Sequence, residues 1–138
     1  MKLARLIPIF ALFFLSTVAM AQGLQEKTTD GGVRYLSGGV GDSEIQAIRE
    51  ATPRYSLSVL MATKDGSYLS NVDVKIQQKG GKQVLAAVTE GPVLLADLPM
   101  GTYSLTATAE GKTMNERFNL TKGQHRRIVL RWPAVKVE

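Results

Sequence analysis

One histidine, His125, and no cysteine are all this chain offers for imidazole or thiol chemistry. A general base needs a partner within hydrogen-bond reach, and the run Lys122-Gly123-Gln124-His125 sets neither a serine nor a carboxylate beside the ring. His125 reads as an exposed turn histidine. A catalytic zinc site wants about three protein ligands, mostly histidines, so no metal, cofactor or catalytic residue is assigned. Glu90, Asp97 and Glu116 are acids available for a glycosidase-type pair, but no spacing rule singles out two of them. The reading is therefore not an enzyme.

Binding chemistry is better supplied. Gly39-Val40-Gly41-Asp42-Ser43-Glu44 has part of a dinucleotide fingerprint, but Glu44 stands where the third glycine belongs and no βαβ unit surrounds it. A glycine-rich turn before a helix can hold an anion, yet Asp42 and Glu44 sit at that positive end and would repel a phosphate. The candidate contact residues for a partner or ligand are Tyr35, Ser37, Gly38, Gly39 and Gly41, with Tyr68 in a turn. Arg127 and Arg131 join them from the one basic cluster, His125-Arg126-Arg127 with Arg131. Tyr35 and Tyr68 are the aromatic residues left free for a glycan. Tyr55, Tyr103 and Trp132 fall on inward rows, where burial is the default.

The elements that must position these residues follow from period and turn chemistry. Gln22 to Arg34 is polar, holds a Gly pair and has no hydrophobic period, so it reads as a flexible linker. Tyr35 to Arg54 reads as a Gly-rich segment followed by one short helix, with Ser43 and Gln46 as a capping box. Ile45, Ile48 and Ala51 lie on its docking face, and Pro53 is its stop. From Tyr55 the period becomes two: Leu57, Val59 and Met61, then Val72, Val74 and Ile76, then Tyr103, Leu105, Ala107 and Ala109, and finally Ile128, Leu130 and Trp132. Turns at Lys64-Asp65-Gly66, Gly80-Gly81, Glu90-Gly91-Pro92, Pro99-Met100-Gly101, Glu110-Gly111 and Lys122-Gly123 separate seven short strands. That spacing predicts an all-β sandwich.

The N-terminus addresses the chain. Lys2 and Arg5 precede the apolar run Leu6 to Leu15, and Ala19-Met20-Ala21 supplies a cleavage site before Gln22. This is the order of a cleaved signal peptide. The run falls short of the roughly 20 residues needed to span a bilayer, so no membrane span is expected in the mature protein. Removing 21 residues from 138 leaves 117, and taking Lys2 and Arg5 from the 17 basic side chains leaves 15 against 12 acidic ones. The mature charge of +3 is mild, and export argues against a nucleic-acid partner. The expected location is the periplasm, with full secretion as the alternative.

Three stretches carry a family resemblance: KDGSYLSNVDVKI, with Gly66, Leu69, Val72 and Val74; GKQVLAAVTEGPVLLADLPMGTYSLTATAEGK, with Leu98, Pro99, Gly101, Tyr103, Leu105 and Ala107; and the closing IVLRW. On these, residues 55–132 resemble the carboxypeptidase regulatory-like domain, a transthyretin-like (prealbumin-like) sandwich. The resemblance covers about 78 of the 117 mature residues and implies a seven-stranded antiparallel Greek-key β-sandwich behind one short N-terminal helix, with residues 133–138 as a tail. Its motifs are structural and carry no activity. In the carboxypeptidases the zinc site lies on a separate catalytic domain. The related hydroxyisourate hydrolases need several histidines and a C-terminal Tyr-Arg-Gly-Ser, whereas this chain ends Trp132-Pro133-Ala134-Val135-Lys136-Val137-Glu138. The functional expectation is a non-enzymatic periplasmic binding or scaffold module that contacts another envelope protein through an edge strand or the Gly-rich segment. The alternative is a carbohydrate- or peptidoglycan-binding module.

Overall fold

The computed structural model describes residues 24–134. The expected signal peptide, its cut after Ala21 and the end of the expected tail lie outside the described residues. In chain order the elements are β1 (Lys27–Thr28), β2 (Arg34–Gly38), α1 (Asp42–Ala51), a 3-10 turn (Thr52–Arg54), β3 (Leu57–Thr63), β4 (Asp73–Gln78), β5 (Gln83–Val88), β6 (Val93–Asp97), β7 (Gly101–Ala109), β8 (Lys112–Leu120) and β9 (Arg126–Trp132). Two sheets result, one in the order β1-β2-β6-β3-β9 and the other β5-β4-β7-β8.

The alternation read from the sequence places the core. Leu57, Val59 and Met61 of β3, Leu94 and Ala96 of β6, and Ile128, Leu130 and Trp132 of β9 face Val74, Ile76, Leu85, Tyr103, Leu105, Ala107, Phe118 and Leu120 of the second sheet. Tyr103 stacks on Phe118 with centroids 5.5 Å apart, and its hydroxyl donates to the Pro99 carbonyl at 2.6 Å. The buried Trp132 Nε1–H donates to the Lys112 carbonyl at 3.0 Å. Tyr103 and Trp132 thus bury their rings while their polar atoms find partners.

The two outer faces differ in kind. On the second sheet the outward side chains form polar pairs across β7 and β8: Thr102 with Asn119, Thr106 with Asn115, and Thr108 with Thr113. The first sheet instead carries a second apolar cluster on its outer face, where Ile48 and Ala51 of α1 dock on Leu36, Tyr55 and Leu95. Tyr55 was expected on the inward row of β3. It lies before that strand begins, and it packs under the helix.

The structure departs from five expectations. There are nine strands among the described residues, not seven. Arg34–Gly38, taken as the end of the linker and the start of the Gly-rich segment, is a full partner of β6, with Leu36 opposite Leu95. Both faces of β2 are covered, so the polar alternation that marks a half-buried strand is missing there. The sandwich is not wholly antiparallel, because β3 and β9 run parallel from Leu57↔Arg126 to Thr63↔Trp132. The connection between them runs through the whole second sheet and through β6 of the first. Within the expected linker, β1 pairs with β2 and the Thr29 N–H donates to the Val33 carbonyl at 2.9 Å. Finally, the N-cap of α1 is Gly41 with no side-chain cap bond, not Ser43. Glu44 does the reaching back, accepting from the Gly39 and Val40 N–H groups at 3.2 and 3.3 Å. The helix gives way to the 3-10 turn at Thr52, with Pro53 inside that turn.

A candidate partner-binding face

Helix α1 covers the outer face of the first sheet over β2 and β6 but stops short of β3 and β9. The register fixes what lies beyond the helix, where Leu60 is half-buried while Ser58 and Ala62 are buried. Ser58 lies beside Arg127, Leu60 beside Val93 on one side and Val129 on the other, and Ala62 beside Arg131. Between the helix and this strip runs a groove of about 520 Å³. Leu60, Val93 and Pro92 form its floor, Ile45, Ile48 and Arg49 its helix wall, and Tyr68 closes one end. Arg127 and His125 border it on the β9 side. Its lining includes two arginines, one histidine and no carboxylate.

Exposure sharpens the choice of this face. Among the described residues six large hydrophobic side chains stay exposed. Two of these, Ile45 (38 %) and Tyr68 (68 %), line the groove, and a third, Val129 (39 %), adjoins Leu60 in register. An apolar patch bordered by charge is the usual form of an interaction surface. A larger cleft of about 660 Å³ opens beside the β1–β2 turn and β5, but Asp30, Asp97 and Lys82 line it together, so it presents no single charge sign.

The glycines near Gly39 serve packing more than binding. A Cβ on Gly91 would stand 2.4 Å from the Gly38 backbone, so the two segments approach this closely because Gly91 lacks a side chain, and a Cβ on Gly38 would instead meet the Leu24 side chain at 2.2 Å. Gly39 and Gly41 have φ of 105° and 83°, the left-handed region that glycine enters without strain. Two N–H donors of this turn, those of Gly39 and Val40, are already held by Glu44. Ser37 Oγ accepts from the Glu90 N–H at 3.1 Å, and Tyr35 packs against the main core. Of the eight candidate residues, Gly39, Tyr68 and Arg127 line the groove, and Arg131 continues the same face along β9. Tyr35, Ser37, Gly38 and Gly41 do not join them. Tyr35 and Tyr68 lie in different clefts, so they form no shared sugar platform.

His125 has neighbours that sequence reasoning missed. Its Nδ1 is 2.6 Å from the Tyr55 carbonyl and its Nε2 is 2.9 Å from Ser58 Oγ. With Nδ1–H donating to the carbonyl, Nε2 accepts from the serine hydroxyl. Serine and histidine are 67 positions apart, and only the parallel pairing of β3 with β9 brings them together. Local motif reading could not find them. Ser58 stands mid-strand between β6 and β9, where backbone N–H groups are committed to the ladders. The pair ties the start of β9 to β3 at the mouth of the groove.

A second polar cluster pins the N-terminal segment. The Tyr55 hydroxyl bonds to the Glu26 carboxylate, Arg34 donates to Asp97 Oδ2 at 2.7 Å, and the Arg34 guanidinium sits 5.6 Å over the Tyr55 ring. Burial, then the Glu26 hydrogen bond and charge, push the Tyr55 hydroxyl up to about 12. The same ion pair with Asp97 raises Arg34 further above its ordinary value. Among the described residues no group of three or more His, Asp and Glu gathers to hold a metal, and no helix is long and apolar enough to cross a membrane. No family model matches the chain, and no curated protein matches it.

Proposed function

We propose that this protein is a binding module of the bacterial envelope, acting without catalysis, that docks a segment of another envelope protein on the open strip of its first sheet. The observation that carries the reading is the groove between α1 and β3. It combines an apolar floor (Leu60, Val93) with a border of Arg49, Arg127 and His125 and no acid. Such a surface suits a partner segment with apolar side chains and flanking carboxylates. The periplasmic location rests on the sequence features of the N-terminus, and the prealbumin-like Greek-key reading of the sandwich on the quoted motifs. The carbohydrate alternative is left with Tyr68 alone, since Tyr35 turns toward the core.

Leu60→Glu tests this reading. Leu60 is half-buried on the outer face, so the change should cost stability only about 1 kcal/mol or less. Capture of the partner in native envelope extracts, with crosslinks mapped to the groove, should fall at least about tenfold. Unchanged capture by a folded Leu60→Glu protein would overturn the groove as the binding site.

A further inference from the structure

Four strands end the two sheets, and they are not equally protected. β1 has two residues, too few to template a neighbour. β5 breaks register against β4 between Ile76 and Gln77, the kind of irregularity that discourages edge pairing. β8 mixes Lys112, Glu116 and Arg117 and shows Thr113 and Asn115 to solvent. β9 alone is long and regular in register, with one charge sign: Arg126, Arg127 and Arg131 around an exposed Val129.

The ladder shows which of its backbone groups are free. The Arg126 N–H donates to the Ser56 carbonyl and the Trp132 carbonyl accepts from the Lys64 N–H, both at 2.8 Å. In a strand these directions alternate, so residues 126, 128, 130 and 132 bond toward β3. The N–H and C=O groups of Arg127, Val129 and Arg131 therefore point away from it. No other strand pairs with β9 among the described residues. Those same three residues carry their side chains onto the outer face, in line with Ser58, Leu60 and Ala62. None of Arg49, Arg127 and Arg131 takes part in an ion pair among the described residues.

The geometry points to strand addition at β9, with an extended acidic segment of the partner protein as the occupant. Its residues opposite Arg127, Val129 and Arg131 would be acidic, apolar and acidic. Cross-strand neighbours of opposite charge attract and like charges repel, which selects this pattern over its basic counterpart. The pattern is the same read in either direction, so it accepts parallel or antiparallel addition. The added strand would extend the first sheet and leave the Leu60 groove beside it for the partner's flanking apolar residues. This deepens the functional reading above and rests on it.

The test uses blocked synthetic peptides, Thr-Glu-Thr-Val-Thr-Glu-Thr and its lysine counterpart Thr-Lys-Thr-Val-Thr-Lys-Thr, with the mature protein. Amide exchange followed residue by residue should slow at Arg127, Val129 and Arg131 with the acidic peptide and not with the basic one. The double variant Arg127→Glu with Arg131→Glu changes only exposed side chains and should reverse the preference by roughly tenfold. Raising the salt concentration should weaken the acidic peptide's effect. Equal exchange at the three amides with both peptides, protection centred on another strand, or an unchanged preference in the double variant would overturn strand addition at β9. If those results come while capture still depends on Leu60, only the β9 route falls; if Leu60→Glu has no effect on capture, the groove reading falls instead.

Discussion

At the level of single residues, the clearest constraints are steric and protonic. Gly91 and Gly38 meet backbone to backbone, and a methyl at Gly91 would lie 2.4 Å from Gly38 atoms. Gly91→Ala should destabilise the fold by roughly 1–3 kcal/mol, as overpacking of a tight contact does, read as a lower urea midpoint with unchanged slope. Tyr55 contributes to the alkaline pH dependence, alongside Tyr103, which burial also raises. Its hydroxyl is held neutral by burial and by Glu26, up to about 12 in the folded chain, against about 10 when unfolded. Above pH 10 the unfolded chain therefore binds fewer protons than the folded one, and stability falls as pH rises through that window. Tyr55→Phe should flatten the decline, measured as denaturation midpoints between about pH 9 and 12. The Ser58–His125 contact shows where residue-level reading stops. Neither side chain has the other near it in sequence, and a parallel pairing across the whole second sheet was needed to join them.

At the level of elements, α1 is what makes the proposed binding face a groove. The helix docks through Ile48 and Ala51 on Leu36, Tyr55 and Leu95, and its wall carries Ile45 and Arg49. Ile48→Ala should cost about 2–4 kcal/mol if the site does not collapse, and it should speed amide exchange across residues 42–51 more than in β3 or β7. Uniform acceleration through the sandwich would mean the helix and the core open as one unit. The seven strands from β3 to β9 were legible because each shows one face to solvent or ends at a Gly or Pro turn. β2 was not legible, because Leu36 lies under the helix while Tyr35 faces the core, and no polar period survives that double burial. The helix was legible from Ile45, Ile48 and Ala51. Its cap was not, since the Gly41 backbone and the Glu44 carboxylate replace the side-chain signal at Ser43.

At the scale of the whole molecule, the two sheets divide the labour. The second sheet closes the core and shows water a polar Thr–Asn surface, while the first sheet carries the helix, the groove and the open β9 edge. This asymmetry is the main reason to place recognition on one side. Arg127, Arg131 and Tyr68, contact candidates read from the sequence, fall on this side of the molecule, whereas the apolar floor was not legible. Leu60 and Val93 sit in strands whose other faces are buried, so nothing in the linear pattern separates an open strip from a covered one. Because the rim carries arginines and no carboxylate, partner binding should weaken as ionic strength rises, which a salt series of partner capture would check.

The most direct measurement is site-specific photocrosslinking in cells, with the crosslinking residue placed in turn at Tyr68, Val129, Val88 and Met100. All four side chains are exposed, so reactivity with solvent does not distinguish them. The account predicts one protein partner captured from Tyr68 and Val129, and none from Val88 on the β5 edge or Met100 in the β6–β7 turn. Capture of that partner from Val88 or Met100, with Tyr68 and Val129 silent, would contradict the assignment of binding to the outer face of the first sheet.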